Sequence, residues 1–125
     1  MILVDSSIWV DHFRSRDQAL SRMLEESRIL CHPFVVGEIM MGNPTNRIGL
    51  AQLRRLPEAD RATDHEVVDL VERYALFGMG VGYVDAHLLA SVALTPDSAL
   101  WTRDRRMTSA AGRLNLIARD FSSLS

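Results

Sequence analysis

Short apolar runs alternate with longer amphipathic segments along this chain of 125 residues. The clearest runs lie at 2–5, 28–31 and 99–102, and their length and aliphatic content predict short buried strands. Two weaker strands are predicted, one near Leu56 and one at 115–117. Strands that alternate with helical patterns are typical of a parallel sheet with crossover helices.

Segments with helical spacing of apolar residues separate the predicted strands. Residues 64–77 repeat apolar side chains every three or four positions, and residues 84–94 are almost entirely apolar. The remaining predicted helices span 7–13, 17–26, 33–41, 45–53 and 105–113. The pattern shows no repeat or linker, so it predicts one α/β domain over residues 1–125, a three-layer α/β/α sandwich with a parallel sheet.

Composition narrows the classes of function. All 14 basic residues are arginine, so any phosphate would be contacted by guanidinium groups, and mechanisms that need a lysine are excluded. The apolar stretch 84–94 is too short to span a bilayer, and the N-terminus lacks a signal-peptide pattern. A single cysteine, Cys31, permits no internal disulfide. These features predict a cytoplasmic protein that does not associate with membranes.

Four acidic residues are predicted to meet at one edge of the sheet. Asp5 ends the first strand, and Asp104 lies just beyond the strand at 99–102. Glu38 and Asp85 lie early in helices that leave the same edge. Because open α/β folds bind ligands at the carboxyl ends of their strands, this edge is the candidate site.

Each acid also has a purely structural explanation. Asp5 and Asp104 are suited to capping helices, Asp85 suits a first helical turn, and Glu38 could be solvated. Together, however, four carboxylates at one edge repel one another, so they need raised pKa values or a cation. A hard divalent ion is the natural partner, namely Mg²⁺, with Mn²⁺ able to substitute.

Four short motifs contain the acids, and they are, in chain order, Asp5-Ser6-Ser7, Gly37-Glu38, Gly82-Tyr83-Val84-Asp85-Ala86 and Thr102-Arg103-Asp104. In this order they resemble the motifs of the PIN-domain nucleases. The order of elements, over essentially the whole chain, is most similar to that of the VapC-type toxins of bacterial toxin–antitoxin pairs. The resemblance implies a PIN-like fold and a Mg²⁺-dependent endoribonuclease that cuts single-stranded or structured RNA such as tRNA.

The resemblance also assigns roles to individual residues. It implies that Asp5, Glu38, Asp85 and Asp104 bind the metal, and that Ser7 orients a carboxylate or a water molecule. Arg103, Arg105 and Arg106 flank Asp104. Two interpretations are open for them, a solvated helix start or a basic rim that binds RNA phosphates. His87 is interpreted as a core histidine with satisfied hydrogen bonds, and not as a general base.

Partners are implied in the same way. The resemblance implies a cognate VapB-like antitoxin that places a basic side chain near the acids. The early helices contain more apolar residues than a small domain is expected to bury, which predicts a homodimer. The residues behind that prediction are Ile8, Val10, Phe13, Phe34, Val35 and Met41. The alternative function is a PIN-like module that binds RNA or protein without cutting it.

Overall fold

A three-stranded parallel sheet lies at the centre of the protein. The computed structural model describes residues 1–118, and its strands are β1 (Ile2–Val4), β2 (Ile29–Leu30) and β3 (Ala99–Trp101). The strand order is β2-β1-β3, and Ile2 stands opposite both Ile29 and Ala99. The predicted parallel sheet is therefore confirmed, with β1 in the middle.

Helices connect the strands and cover the sheet. Within residues 1–118 they are α1 (Ser6–Arg14), α2 (Gln18–Glu25), α3 (Pro33–Met41), α4 (Arg47–Leu53), α5 (Asp64–Arg73), α6 (Tyr83–Leu94) and α7 (Arg105–Arg113). This arrangement is the α/β/α class predicted from the sequence. None of these helices is both long and apolar enough to cross a membrane.

Two of the predicted strands are present only as isolated β-bridges. Near Leu56 only Glu58 pairs with Cys31, because Pro57 has no N–H to donate and contributes its carbonyl alone. At 115–117 only Ile117 pairs, with Leu100. Asn115 has a left-handed φ of 57°, so extended backbone begins after it. Both predictions of a full strand were wrong within the described residues.

Helix α5 is shorter than its apolar pattern predicts. It begins at a capping box, in which Thr63 and Glu66 each accept a hydrogen bond from the other's backbone N–H. It ends at Arg73, because Ala75 takes a left-handed φ of 52° and turns the chain away. The predicted continuation to residue 77 was wrong.

The core lies between the sheet and the helices and consists mainly of aliphatic side chains. Ile8 and Val35 are fully buried in it, so they are unavailable to a partner, and the prediction that they contribute to a dimer surface was wrong. By contrast, Phe34 is 41% exposed and Met41 is 87% exposed. Phe34 and Met41 are therefore exposed on α3 as predicted, together with Met40, 46% exposed, which was not among the predicted residues.

A buried histidine links the helices that carry two of the acids. The His32 Nδ1 accepts the backbone N–H of Phe34 and caps α3, and its Nε2 lies 3.0 Å from Ser91 Oγ on α6. Burial lowers the pKa of His32 to about 4, with Arg61 and His87 acting in the same direction. The neutral ring thus holds α3, which carries Glu38, against α6, which carries Asp85.

Candidate active site

Asp5 lies at the carboxyl end of the central strand and is only 7% exposed. Its Oδ1 accepts the backbone N–H of Ser6 at 2.8 Å, which makes it the N-cap of α1. Its Oδ2 accepts a hydrogen bond from Thr102 Oγ1 at 2.9 Å. The capping role considered from the sequence is therefore present. Each carboxylate oxygen has about two acceptor directions, so one remains on each for a cation.

Asp104 lies at the same edge, beyond the neighbouring strand β3. Its Oδ1 caps α7 by accepting the backbone N–H groups of Arg106, at 2.8 Å, and Met107, at 3.1 Å. Its Oδ2 has no hydrogen bond to any residue in the described part of the chain. Asp104 can therefore cap its helix through one oxygen and offer the other to a ligand.

Thr102 connects the two aspartates and was not among the predicted site residues. It is 8% exposed, and its Oγ1 donates to Asp5 Oδ2 while accepting the backbone N–H of Asp104 at 3.1 Å. Its position in the sequence, directly after a strand and two residues before an acid, is the signal that could have identified it. Ser7, by contrast, is exposed on α1 and its hydroxyl contacts no hydrogen-bond partner within residues 1–118. Thr102 therefore orients the Asp5 carboxylate. The role implied for Ser7, to orient a carboxylate or a water molecule, stays a prediction.

Glu38 and Asp85 extend the acidic site from the helices. Burial raises the pKa of Glu38, and the charges of Asp5 and Asp85 raise it further. Burial also raises the pKa of Asp85, as do Asp5 and Asp104, while a hydrogen bond from the Gly82 backbone opposes the shift. The structure thus brings the acids from four separate segments within electrostatic reach of one another.

The acids suit a hard divalent cation in chemistry and charge. Their donors are all carboxylate oxygens, and their mutual repulsion is what a bound cation relieves. Among residues 1–118, however, no three Asp, Glu, His or Cys side chains lie close enough together to form a ready-made site. A bound ion would need the carboxylates to turn toward one another, and the side chains of Glu38, which is exposed, and Asp85, which is partly exposed, have room to do so.

The arginines near Asp104 have different environments. Arg103 forms ion pairs with Asp11 and Asp17, the latter at 3.4 Å, and so ties the loop after β3 to α1 and to the N-cap of α2. Arg105 and Arg106 are exposed and form no ion pair with a residue in the described range. The prediction that arginines here contact phosphate therefore rests mainly on Arg105 and Arg106.

His87 is held by a hydrogen bond and by two aromatic rings. It is 6% exposed, its Nε2 lies 3.0 Å from Asp64 Oδ1, and the rings of Phe34 and Tyr83 lie 5.0 and 4.8 Å away. Tyr83 OH donates to the same Asp64 oxygen at 3.2 Å. His87 is thus a hydrogen-bonded core residue, as predicted.

The raised pKa of Asp85 predicts a pH-dependent effect of its removal. Asp85→Asn is expected to raise the free energy of unfolding of the metal-free protein, by an amount that grows as the pH rises. The pKa of Asp85 is raised in the folded state, so its contribution to stability is fully present at pH values below the unfolded-state pKa of 3.8. That contribution is lost as the pH rises through the folded-state pKa. Asparagine stays neutral throughout. Urea denaturation with chelator, from about pH 4 to about pH 7, measures the difference; a gain independent of pH would contradict the repulsion.

Comparison with known proteins identifies the family. The family model described as "PIN domain" matches residues 2–113. The chain therefore belongs to the PIN-domain family, which confirms the prediction made from its motifs. It is also 43% identical over 111 residues to Ribonuclease VapC32 of Mycobacterium tuberculosis, in the strains CDC 1551 / Oshkosh and ATCC 25618 / H37Rv, with 88% of this chain and 90% of each relative covered. No solved structure gives a significant match.

Proposed function

We propose that this protein is a divalent-metal-dependent endoribonuclease and the toxin of a VapC-type toxin–antitoxin pair. The observation that carries the proposal is the electrostatic coupling of Asp5, Glu38, Asp85 and Asp104 at the carboxyl edge of a PIN-domain sheet. The match to a relative named as a VapC ribonuclease supports the same activity and the toxin class.

The four acids are the proposed ligands of the metal, with Mg²⁺ as the proposed ion and Mn²⁺ as its substitute. A divalent ion there would lower the pKa of an attacking water and offset charge on the phosphodiester during cleavage. Asp5, held through both oxygens at the end of the central strand, would be the most firmly positioned of these ligands. The ion's positive charge would offset the repulsion from neighbouring acids that helps to raise the pKa values of Glu38 and Asp85.

The proposed substrate is single-stranded or looped RNA in the cytoplasm, with tRNA the first candidate. A formal net charge of −2 favours local phosphate contacts over binding along a long duplex. Arg105 and Arg106, which are exposed, would bind individual phosphates beside the acids. Unpaired RNA can bend its backbone into such a small site more easily than a duplex can.

Metal removal and substrate choice test this function together. The purified protein is expected to cut tRNA and single-stranded oligoribonucleotides with Mg²⁺, to lose activity in excess chelator, and to regain it when Mg²⁺ or Mn²⁺ is restored. Duplex DNA of the same length is the matched control and is expected to resist. Cleavage that survives exhaustive chelation, or equal rates on duplex DNA, would contradict the proposal.

An antitoxin is the proposed inhibitor of the site. A cavity of about 510 Å³ and another of about 450 Å³ share Phe13 and Asn46 in their walls, and the second extends to Glu38. A partner segment that follows both cavities would bring a basic side chain to the acids, where its charge would replace that of the metal. Alanine in place of that side chain should weaken inhibition even where the complex still forms.

A homodimer is proposed through the exposed apolar face of α3. Phe34, Met40, Met41 and Val84 surround Gly37 and Glu38 on an open surface. Burying this face in a second copy would remove its apolar area from water and place two acidic sites near one interface. Sedimentation at micromolar concentration tests it: the wild type is expected to be dimeric and Met41→Glu monomeric, with Ile48→Glu, at a 76% exposed residue of α4, as the control.

A further inference from the structure

The loop between α5 and α6 contains two glycines in the same unusual conformation. Gly78 has a φ of +75° and Gly80 a φ of +79°, in the left-handed region that favours glycine. Their surroundings differ. A Cβ added to Gly78 would meet nothing within 4 Å, whereas a Cβ added to Gly80 would lie 2.9 Å from Arg106 Cδ and 3.1 Å from its Nε. The Arg106 side chain thus lies directly across the open face of Gly80.

This contact connects Arg106, at the start of α7, with the loop before α6. Arg106 is the second residue of α7, and its backbone N–H is bound by Asp104. Its side chain reaches the loop that leads into the first turn of α6, which contains Asp85. Unlike Arg103, it forms no ion pair within residues 1–118. Its guanidinium is therefore available to bind an anion beside the acidic site.

We propose that Gly80 is a positioning residue for substrate. Because it lacks a Cβ, Gly80 lets Arg106 lie across the loop and bind the RNA phosphate that neighbours the cleaved phosphate. This inference rests on the proposed ribonuclease function. A guanidinium can bind two phosphate oxygens at once, and it offsets the repulsion between the acids and the RNA backbone. Because Arg106 would contact a phosphate and not a base, it raises affinity for RNA of any sequence.

The two glycines allow backbone strain to be separated from the contact with Arg106. Alanine at either position adopts the same unfavourable φ, so both variants should lose similar stability. Only at Gly80 does the added methyl group meet Arg106, and the atoms it meets belong to a flexible side chain. The side chain therefore moves and the backbone stays, so the guanidinium leaves its phosphate.

The experiment compares Gly80→Ala, Gly78→Ala, Arg106→Ala and the double variant Gly80→Ala/Arg106→Ala. Cleavage of a single-stranded oligoribonucleotide with Mg²⁺ gives kcat and KM at several salt concentrations. Gly80→Ala and Arg106→Ala are each expected to raise KM about tenfold with little change in kcat, as loss of one charged phosphate contact does. Both variants should also reduce the steepness of log affinity plotted against log salt concentration by about one. Gly78→Ala should retain the wild-type KM, and the double variant should match Arg106→Ala.

Several outcomes would overturn the proposal. Equal increases in KM for Gly78→Ala and Gly80→Ala would assign the effect to backbone strain, and additive effects in the double variant would show that the two residues act independently. Binding of the same oligoribonucleotide in chelator separates this inference from the proposed function. If the wild type binds but does not cut when metal is restored, the ribonuclease proposal fails, and the dissociation constants of the variants still decide the role of Gly80. A wild type that does not bind RNA overturns both.

Discussion

Asparagine in place of Asp85 is expected to reduce RNA cleavage by at least about a thousandfold while the metal-free protein stays folded. The substitution removes one proposed metal ligand, and neutral asparagine cannot supply the charge that balances the cation. It also removes a carboxylate that burial and two neighbouring aspartates destabilise, so the fold loses nothing. Initial rates on a labelled oligoribonucleotide, with melting curves in chelator, measure both effects.

Asp5→Asn should likewise abolish cleavage. Its effect on the fold is more informative, because Asp5 also caps α1. Asparagine is as good an N-cap as aspartate, so the hydrogen bond from Ser6 is retained while the charge is lost. Asp69→Asn, at an exposed acid of α5, is the control and should cut at the wild-type rate. If Asp5→Asn and Asp85→Asn both unfold the protein, their role is structural. If both keep wild-type activity, the proposed site is wrong.

Valine in place of Thr102 is expected to weaken metal affinity and cleavage by about 10- to 100-fold, as the loss of a residue that orients a ligand does. Valine has nearly the shape of threonine but neither donates to Asp5 nor accepts from Asp104. The buried Asp5 carboxylate then has one hydrogen bond fewer, which costs about 1–3 kcal/mol of stability. Serine at this position keeps the hydroxyl and should restore most of both properties.

The Mg²⁺ concentration that gives half-maximal cleavage separates orientation from simple loss of stability. For Thr102→Val it is expected to increase, because the Asp5 carboxylate is then free to turn away from the ion. Thr102→Ser should require nearly the wild-type concentration. A valine variant that melts at a lower temperature but has an unchanged Mg²⁺ requirement would show that Thr102 contributes only to the fold.

The positions of the four acids could be predicted because they follow from strand order and connectivity. Asp5 and Asp104 each follow a strand, and parallel strands bring their carboxyl ends to one edge. The right-handed crossover rule places the start of α6 there too, so Asp85 could be predicted without any side-chain contact. Glu38 could be predicted there as well, because it lies early in the helix that follows the carboxyl end of β2.

Contacts between distant side chains could not be predicted from such rules. The hydroxyl of Thr102 reaches Asp5 only because β3 lies beside β1 in register, a relation that spans 97 positions. Arg103 was grouped with its neighbours as an RNA contact, but its partners Asp11 and Asp17 lie on segments whose packing the sequence does not reveal. Burial of Ile8 and Val35 likewise depended on how much surface the sheet could cover.

Crystals of the protein grown or soaked with Mn²⁺ test the central claim most directly, because the anomalous signal of manganese locates the ion without assuming its ligands. The expected result is a peak at the carboxyl edge of the sheet, within about 2.0–2.4 Å of oxygens from Asp5 and at least one of Glu38, Asp85 and Asp104. The peak should vanish in Asp85→Asn or be greatly weakened. A protein that cuts RNA with Mn²⁺ but shows no manganese at this edge, or binds it elsewhere, would contradict a nuclease site built from these acids.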